Sequence, residues 1–162
     1  MRTRIISAFP GTGKTEFFKQ HPTTTLDSDS SLFSWVTIDG TKVRNPHFPE
    51  NYINHIKNNI GTCEFILVSS HKEVREALLD NSLFFYLIYP DKSRKEEFIE
   101  RYRKRGSPES FITLLDKNWE SWINECERCD IGCERIRMTV LPNLVDEINY
   151  IIRSEYREND VI

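Results

Sequence analysis

The chain has 162 residues, of which 38% are hydrophobic and 29% charged, and its formal net charge at pH 7 is −3. This length and composition predict one globular domain over residues 1–162, exclude disordered and collagen-like chains, and argue against a long nucleic acid as a partner. The apolar runs are strand-sized, which excludes a membrane span, and the apolar stretch at the N-terminus is too short for a signal peptide, so we expect a cytoplasmic protein.

A strand, a glycine-rich loop and a helix open the chain. Residues 2–7 carry two isoleucines and predict a strand, AFPGTGKT follows at once, and TEFFKQ is typical of a helix. Further strands are predicted at residues 23–26, 64–70, 83–89 and 135–140. Helices are predicted at residues 71–81, 93–105, 108–127 and 144–156. Five strands alternating with helices predict an α/β three-layer sandwich with a mostly parallel five-stranded sheet.

Residues 30–61 interrupt this alternation with Pro, Gly and Trp, and only residues 52–58 have helical spacing. We interpret the segment as an insertion on the substrate side. Its aromatic residues suit stacking on a base, although packing is the simpler explanation for them. Arg44 is the best candidate in the segment for holding an acceptor phosphate.

The loop from Ala8 to Thr15 fits the phosphate-binding pattern GxxxxGK[ST], except that Ala8 replaces the first Gly. Its glycines permit a curled backbone whose N–H groups converge on phosphate oxygens, and the following helix adds its positive end. Lys14 would reach the β- and γ-phosphates, and the Thr15 hydroxyl would bind Mg²⁺. The alternative is a glycine turn without a ligand. The predicted nucleotide-binding residues are Pro10, Gly11, Thr12, Gly13, Lys14, Thr15 and Glu16.

With a strand before this loop and a helix after it, the sequence resembles the P-loop kinases that phosphorylate small molecules and nucleotides. Among these are nucleoside monophosphate kinases, shikimate and gluconate kinases and the kinase domain of polynucleotide kinase. The resemblance covers most of the chain in the order of its elements, and its specific motifs are the loop, Asp27-Ser28-Asp29 and an arginine-bearing helix. It implies a fold of P-loop NTPase type, with ATP and Mg²⁺ as cofactors.

Asp27 and Asp29 lie two residues apart, so in an extended segment both carboxylates point to the same side. Two acids there repel each other unless a cation or substrate lies between them. The resemblance implies that Asp27 assists Mg²⁺ together with Thr15, and that Asp29 binds the acceptor or acts as the base. The alternative is an Asp-Ser turn with a helix N-cap at Ser28 or Ser30.

The buried strand at 64–70 is not followed by an acidic residue, which makes a motor or switch ATPase less favoured. Ser69, Ser70 and His71 stand there instead, at the end of a strand where α/β sheets bind their ligands. His71 is therefore a candidate substrate contact. It fits the start of a helix equally well.

The helix at 93–105 is rich in basic residues. Arg94, Arg101 and Arg105 fall on one stripe of it, whereas Arg103 points away. The resemblance implies a lid over residues 93–127, in which Arg101 and Arg105 close on the transferred phosphoryl group as catalytic residues beside Lys14 and Asp29. The alternative is a solvated helix face.

Three of the four cysteines lie close together as CERCDIGC. They are either reduced thiols near a helix end or part of a zinc site that would need Cys63 or a histidine from elsewhere.

These residues predict an ATP- and Mg²⁺-dependent kinase that moves the γ-phosphoryl group to a small acceptor, with a nucleoside monophosphate favoured. One alternative is a kinase acting on a hydroxyl of a metabolite, a nucleoside or a nucleic acid 5′ end, with Asp29 as the base. Another is a nucleotide-binding module without turnover, which Ala8 and the missing acid after residue 70 keep open.

Overall fold

The computed structural model describes residues 1–129 and 131–159, so the predicted domain over 1–162 extends beyond the described residues at 130 and 160–162. The strands are β1 (Arg4–Ala8), β2 (Thr25–Asp27), β3 (Trp35–Ile38), β4 (Thr41–Arg44), β5 (Phe65–Ser69), β6 (Phe85–Pro90) and β7 (Cys133–Met138). The helices are α1 (Lys14–Gln20), α2 (Ser31–Ser34), α3 (Glu50–Asn59), α4 (Lys72–Asp80), α5 (Lys95–Lys104), α6 (Glu109–Glu127) and α7 (Leu144–Asn159). A 3₁₀ turn at Lys92–Arg94 precedes α5.

The five predicted strands form one sheet in the order β2-β5-β1-β6-β7, and every neighbouring pair is parallel. All six residues of β6 are buried, as expected for a parallel strand covered on both faces. The predicted α/β class with a five-stranded parallel sheet is therefore confirmed. The last strand begins two residues earlier than predicted, because Cys133 already pairs with Phe85.

Helices cover both faces of this sheet. Arg4 and Phe65 are register partners on one face, where the Phe17 ring of α1 lies 5.1 Å from the Phe65 ring and Glu155 of α7 contacts Arg4. From β2 to β7 the chain runs the other way along the sheet, so the right-handed rule for parallel crossovers places α3, α4 and α6 on the opposite face. This arrangement fits the predicted three layers.

The segment at 30–61 contains elements that the sequence reading missed. Strands β3 and β4 form a two-stranded antiparallel hairpin, and the short helix α2 precedes it. Asp39 and Gly40 join the two strands with φ values of 49° and 75°. An Asp-Gly pair with positive φ at both residues is the usual two-residue hairpin turn, so the sequence did carry the signal.

Within the described ranges, no helix is both long enough and apolar enough to cross a membrane.

Glu155 fastens α7 to the sheet. Its carboxylate accepts hydrogen bonds from Arg2, Arg4 and the Tyr86 hydroxyl, with 3.0 Å between Arg4 Nε and Glu155 Oε2. Burial pushes the pKa of Glu155 up, but the hydrogen bonds from Arg4 and Tyr86 outweigh that effect and hold the pKa below its ordinary value of 4.5.

Replacing Glu155 with Gln should lower the free energy of unfolding at pH 7 by about 1–3 kcal/mol, since it removes charge-assisted hydrogen bonds. A depressed folded pKa stabilises the fold above the unfolded pKa and loses that contribution as pH falls through the folded pKa. The difference from wild type should therefore shrink in acid. Urea unfolding at pH 7 and pH 3 measures it, with Glu158→Gln on the same helix as control; a pH-independent difference would contradict the assignment.

Candidate functional site

A cleft of about 1000 Å³ opens at the carboxyl ends of β1 and β5, the edge at which parallel sheets bind ligands. Ala8 and Ser69 end these two strands and both line the cleft. The glycine loop, which we define as residues 8–15, forms one wall. Of the predicted site residues, those lining the cleft are Pro10, Gly11, Thr12, Gly13, Lys14, Thr15, Glu16, Asp29, Arg44, His71, Arg101 and Arg105.

The glycine loop exposes a row of backbone donors. Gly11 and Gly13 have φ values of 82° and 110°, and helix α1 begins directly after Gly13. The N–H groups of residues 13–16 have no acceptor in the described part of the chain, and the first bond of the helix runs from Phe17 N to Gly13 O at 3.0 Å. Unpaired amides at the positive end of a helix attract an anion.

Two other segments hold the glycine loop in place. Arg101 Nη1 of α5 donates to Gly11 O at 2.8 Å, and the same guanidinium donates to Pro142 O. On the other side, Leu144 N donates to Thr12 O at 2.8 Å. Helix α5 lies so close that a Cβ on Gly11 would be 2.9 Å from the Tyr102 ring. The loop conformation is therefore fixed by contacts from far along the chain.

Lys14 carries the main positive charge of the loop. Its ammonium group has no carboxylate within 4.0 Å among residues 1–129 and 131–159. Burial lowers the pKa of Lys14, and the charge of Arg105 adds to this, while Asp27 and Asp29 oppose it. A partly dehydrated, unpaired ammonium in a cleft is suited to bind an anion such as phosphate.

The two predicted aspartates differ in their surroundings. Asp29 lines the cleft. Its Oδ1 accepts a hydrogen bond from Ser31 N at 2.9 Å where α2 begins, so one of its two carboxylate oxygens takes part in a turn, as the alternative interpretation predicts. Asp27 is exposed at the end of β2 and is not among the residues lining the cleft. Ser28 between them is buried, which agrees with the predicted alternation of sides. Both carboxylates raise the pKa of Lys14.

His71 lines the cleft just before α4, and its side chain makes no capping hydrogen bond to that helix. Burial lowers the pKa of His71, and the charges of Lys14, Arg75 and Arg44 lower it further, against a smaller opposing effect of Asp29. The imidazole is therefore neutral at pH 7 and is suited to hydrogen bonding rather than charge neutralisation.

Arg44 stands at the end of the hairpin. Its guanidinium lies 5.2 Å from the centres of the Trp35 and Phe48 rings, and Nη2 lies 2.8 Å from Oε2 of Glu73 on α4. All four of these side chains line the cleft. The predicted phosphate-binding arginine is thus inside the site and already has a carboxylate partner.

The arginines within α5 and directly beside it separate into two groups. Arg94 binds Glu97 and Leu141 O, and Arg101 binds the backbone as described, so both have protein partners. Arg105 lies 5.3 Å from the Tyr102 ring and lines the cleft, whereas Arg103 is exposed outside it.

Sequence reasoning missed several lining residues, notably Lys19, Lys104, Asn143 and the serines of α2. Lys104 is one helical turn from Arg101, so the stripe argument contained the signal for it. Asn143 is distant in sequence and carried none.

The cysteines form no disulfide. No group of three or more His, Cys, Asp or Glu side chains in the described residues is arranged to hold a metal ion. Burial raises the pKa of the Cys126 thiol to about 11, so this thiol stays protonated at neutral pH.

No family model and no curated protein matches the chain. A solved structure, described as an uncharacterized protein from Eubacterium ventriosum ATCC 27560, is similar at 18% identity with a TM-score of 0.48. The alignment covers 94% of this chain and 98% of that chain.

Gly11→Ala should lower the melting temperature more than Gly61→Ala does. Both glycines have positive φ, 82° and 90°, so each alanine introduces backbone strain of about 1–2 kcal/mol. Only at Gly11 would the new Cβ also meet a ring, 2.9 Å away, since Gly61 has nothing within 4 Å. Thermal unfolding followed by circular dichroism compares the two; equal losses would mean that α5 does not pack tightly on the loop.

Proposed function

We propose that this chain is a P-loop phosphotransferase that uses ATP and Mg²⁺ to phosphorylate a small acceptor, a nucleoside monophosphate in the reading we favour. The observation that carries the proposal is the combination of unpaired amides at residues 13–16 with the unpaired Lys14 ammonium in one cleft. The cleft, at about 1000 Å³, is at the upper end of the range for ligand pockets and has room for two substrates.

The residues near the loop are also suited to Mg²⁺. Thr15 lines the cleft, and Asp27, which is not among the lining residues, offers an exposed carboxylate whose charge raises the pKa of Lys14. Hydroxyl and carboxylate oxygens, completed by water and phosphate oxygens, are the ligands that Mg²⁺ prefers. When bound, Mg²⁺ would neutralise charge on the β- and γ-phosphates.

The chain's own part in the transfer is positioning and charge neutralisation. An acceptor oxygen forms a bond to the γ-phosphorus while the bond to the β,γ-bridging oxygen breaks, and ADP leaves. Lys14 and the amides of residues 13–16 bind the β- and γ-oxygens, and Arg105 faces the cleft from the end of α5. Arg101 acts by holding Gly11 and the segment at Pro142, and is therefore a positioning residue in this proposal.

A kinase that transfers the phosphoryl group to a hydroxyl is the second candidate, and the position of Asp29 favours it. One of its carboxylate oxygens accepts a hydrogen bond from Ser31 N, and Asp29 lines the same cleft as Lys14. In this version the carboxylate accepts the proton that the hydroxyl loses as it attacks phosphorus. A nucleotide-binding module without turnover is the third. ADP formation from ATP, measured against nucleoside monophosphates, nucleosides and 5′-hydroxyl oligonucleotides, separates the three.

Lys14→Ala should reduce turnover by about 10²-fold or more, because the transition state loses a charge contact in a dehydrated site. ADP formation with the preferred acceptor measures the effect. Lys117→Ala, an exposed lysine on α6 outside the cleft, is the matched control and should retain full activity. Wild-type activity in the Lys14 variant would contradict the proposal.

Arg105→Ala should lower kcat by about 10²-fold and leave the melting temperature unchanged, since Arg105 faces the cleft and only the transferred group needs its charge. Arg101→Ala should lower both kcat and the melting temperature, because Gly11 O and Pro142 O lose a donor. Arg103→Ala should change neither. The division of roles is wrong if Arg105→Ala is as destabilising as Arg101→Ala.

A further inference from the structure

The lining of the cleft also contains an ion pair between two elements that are distant in sequence. Arg44 ends β4, Glu73 lies in the first turn of α4, and their side chains are 50% and 49% exposed. Both line the cleft, and Nη2 of the arginine is 2.8 Å from Oε2 of the glutamate. An ion pair at this exposure contributes little to stability, so a competing ligand can displace it at low cost.

Two aromatic rings lie against the guanidinium of this pair. Trp35 and Phe48 each lie 5.2 Å from it, and stacking on aromatic faces orients a guanidinium while leaving its N–H groups in plane. Among the described residues, Glu73 is the one hydrogen-bond acceptor of Arg44, so most of the five N–H donors of this arginine remain available. A pre-oriented guanidinium with donors to spare is suited to an oxyanion.

The charge of Arg44 affects the same histidine as the charge of Lys14 in the glycine loop. The charges of Lys14 and Arg44 both lower the pKa of His71, and all three residues line the cleft. The carboxylates that line the cleft are Glu16, Asp29 and Glu73. A ligand that contacts His71 therefore lies within range of both cations.

We propose that the acceptor is a phosphomonoester whose phosphate binds Arg44, and that Glu73 competes with this phosphate by occupying the guanidinium when the site is empty. The inference rests on the proposed function. A phosphate dianion can take two parallel N–H bonds from a guanidinium, and it replaces one half-exposed carboxylate contact. A neutral acceptor that offers only a hydroxyl has no charge with which to displace Glu73. Glu73 therefore weakens the binding of a charged acceptor, which has to displace it, and leaves the binding of a neutral acceptor unchanged.

Glu73→Gln tests this assignment directly. Calorimetric titration with AMP, GMP, CMP, UMP and dTMP, and with the matching nucleosides, measures binding without requiring turnover. Binding of the preferred monophosphate should tighten about two- to five-fold, the range for an exposed ion pair, while nucleosides and ATP should bind as in wild type. Arg44→Ala should weaken monophosphate binding by about tenfold or more. Equal binding by wild type and Glu73→Gln, or no loss in Arg44→Ala, would overturn the inference.

Two control variants keep charge and local structure comparable. Glu76→Gln removes a carboxylate from the same helix, where it pairs with Lys72 at 3.7 Å, and Lys42→Ala removes the other cation that lies over Trp35, at 5.0 Å. Neither Glu76 nor Lys42 lines the cleft, so both variants should bind monophosphates like wild type. Tightening in Glu76→Gln equal to that in Glu73→Gln would show a general charge effect and overturn the inference.

The double variant Arg44→Ala/Glu73→Gln tests whether Glu73 weakens phosphate binding by pairing with Arg44 or only by repelling the phosphate. If Glu73 acts by occupying Arg44, the glutamine has no effect once the arginine is absent. If the tightening persists in that background, Glu73 merely repels the anion, and the inference fails.

The same titrations distinguish this inference from the proposed function. Phosphate transfer from ATP to hydroxyl acceptors alone, or a wild-type protein that binds ATP and no monophosphate, overturns the acceptor assignment and leaves the transfer proposal standing. Monophosphate binding that depends on Arg44, in a protein that neither binds nor consumes ATP, supports the anion site and overturns the transfer proposal.

Discussion

The contact between α5 and the backbone of Gly11 is the constraint on which the rest of the site depends. Only a residue without a Cβ lets the Tyr102 and Phe98 rings lie directly on the loop, and only a positive φ turns the loop there. Arg101 then holds the Gly11 carbonyl, and the amides of residues 13–16, at the end of the loop and the start of α1, have no acceptor among the described residues. The donors available to an anion therefore follow from how the helix packs on the loop.

The electrostatics of the cleft differ from those of the whole chain. The formal net charge is −3, yet several cations line one cleft, and burial together with their mutual repulsion lowers the pKa of Lys14 and of His71. Asp27 and Asp29 offset only part of this for Lys14. An anion in the cleft relieves repulsion that the empty protein sustains, whereas an anion elsewhere on an acidic surface gains nothing comparable. Local charge, rather than net charge, thus makes this cleft suited to an anion.

The sequence predicted those features that depend on neighbouring residues. Continuous apolar runs such as β5 and β6 identify strands buried on both faces, and the glycine loop is a local motif, so both could be recognised from the sequence. The hairpin was missed although Asp39-Gly40 carried its turn signal. The contacts from Arg101 to Pro142, 41 residues away, and from Arg44 to Glu73, 29 residues away, depend on packing that periodicity does not encode.

The arginines of α5 illustrate that limit. Arg101 and Arg105 lie four residues apart on one stripe, and the resemblance to P-loop kinases implied the same role for both. Arg101 lies within the helix, above the loop, where backbone carbonyls of two segments accept its N–H groups. Arg105 follows the last helical residue, and within the described ranges its neighbour is the Tyr102 ring rather than a hydrogen-bond acceptor. An arginine whose N–H donors are satisfied by the protein fixes the geometry of the segments that it binds. An arginine whose donors are unsatisfied is available to a ligand. The hydrogen-bond partners, rather than the spacing, therefore distinguish Arg101 from Arg105.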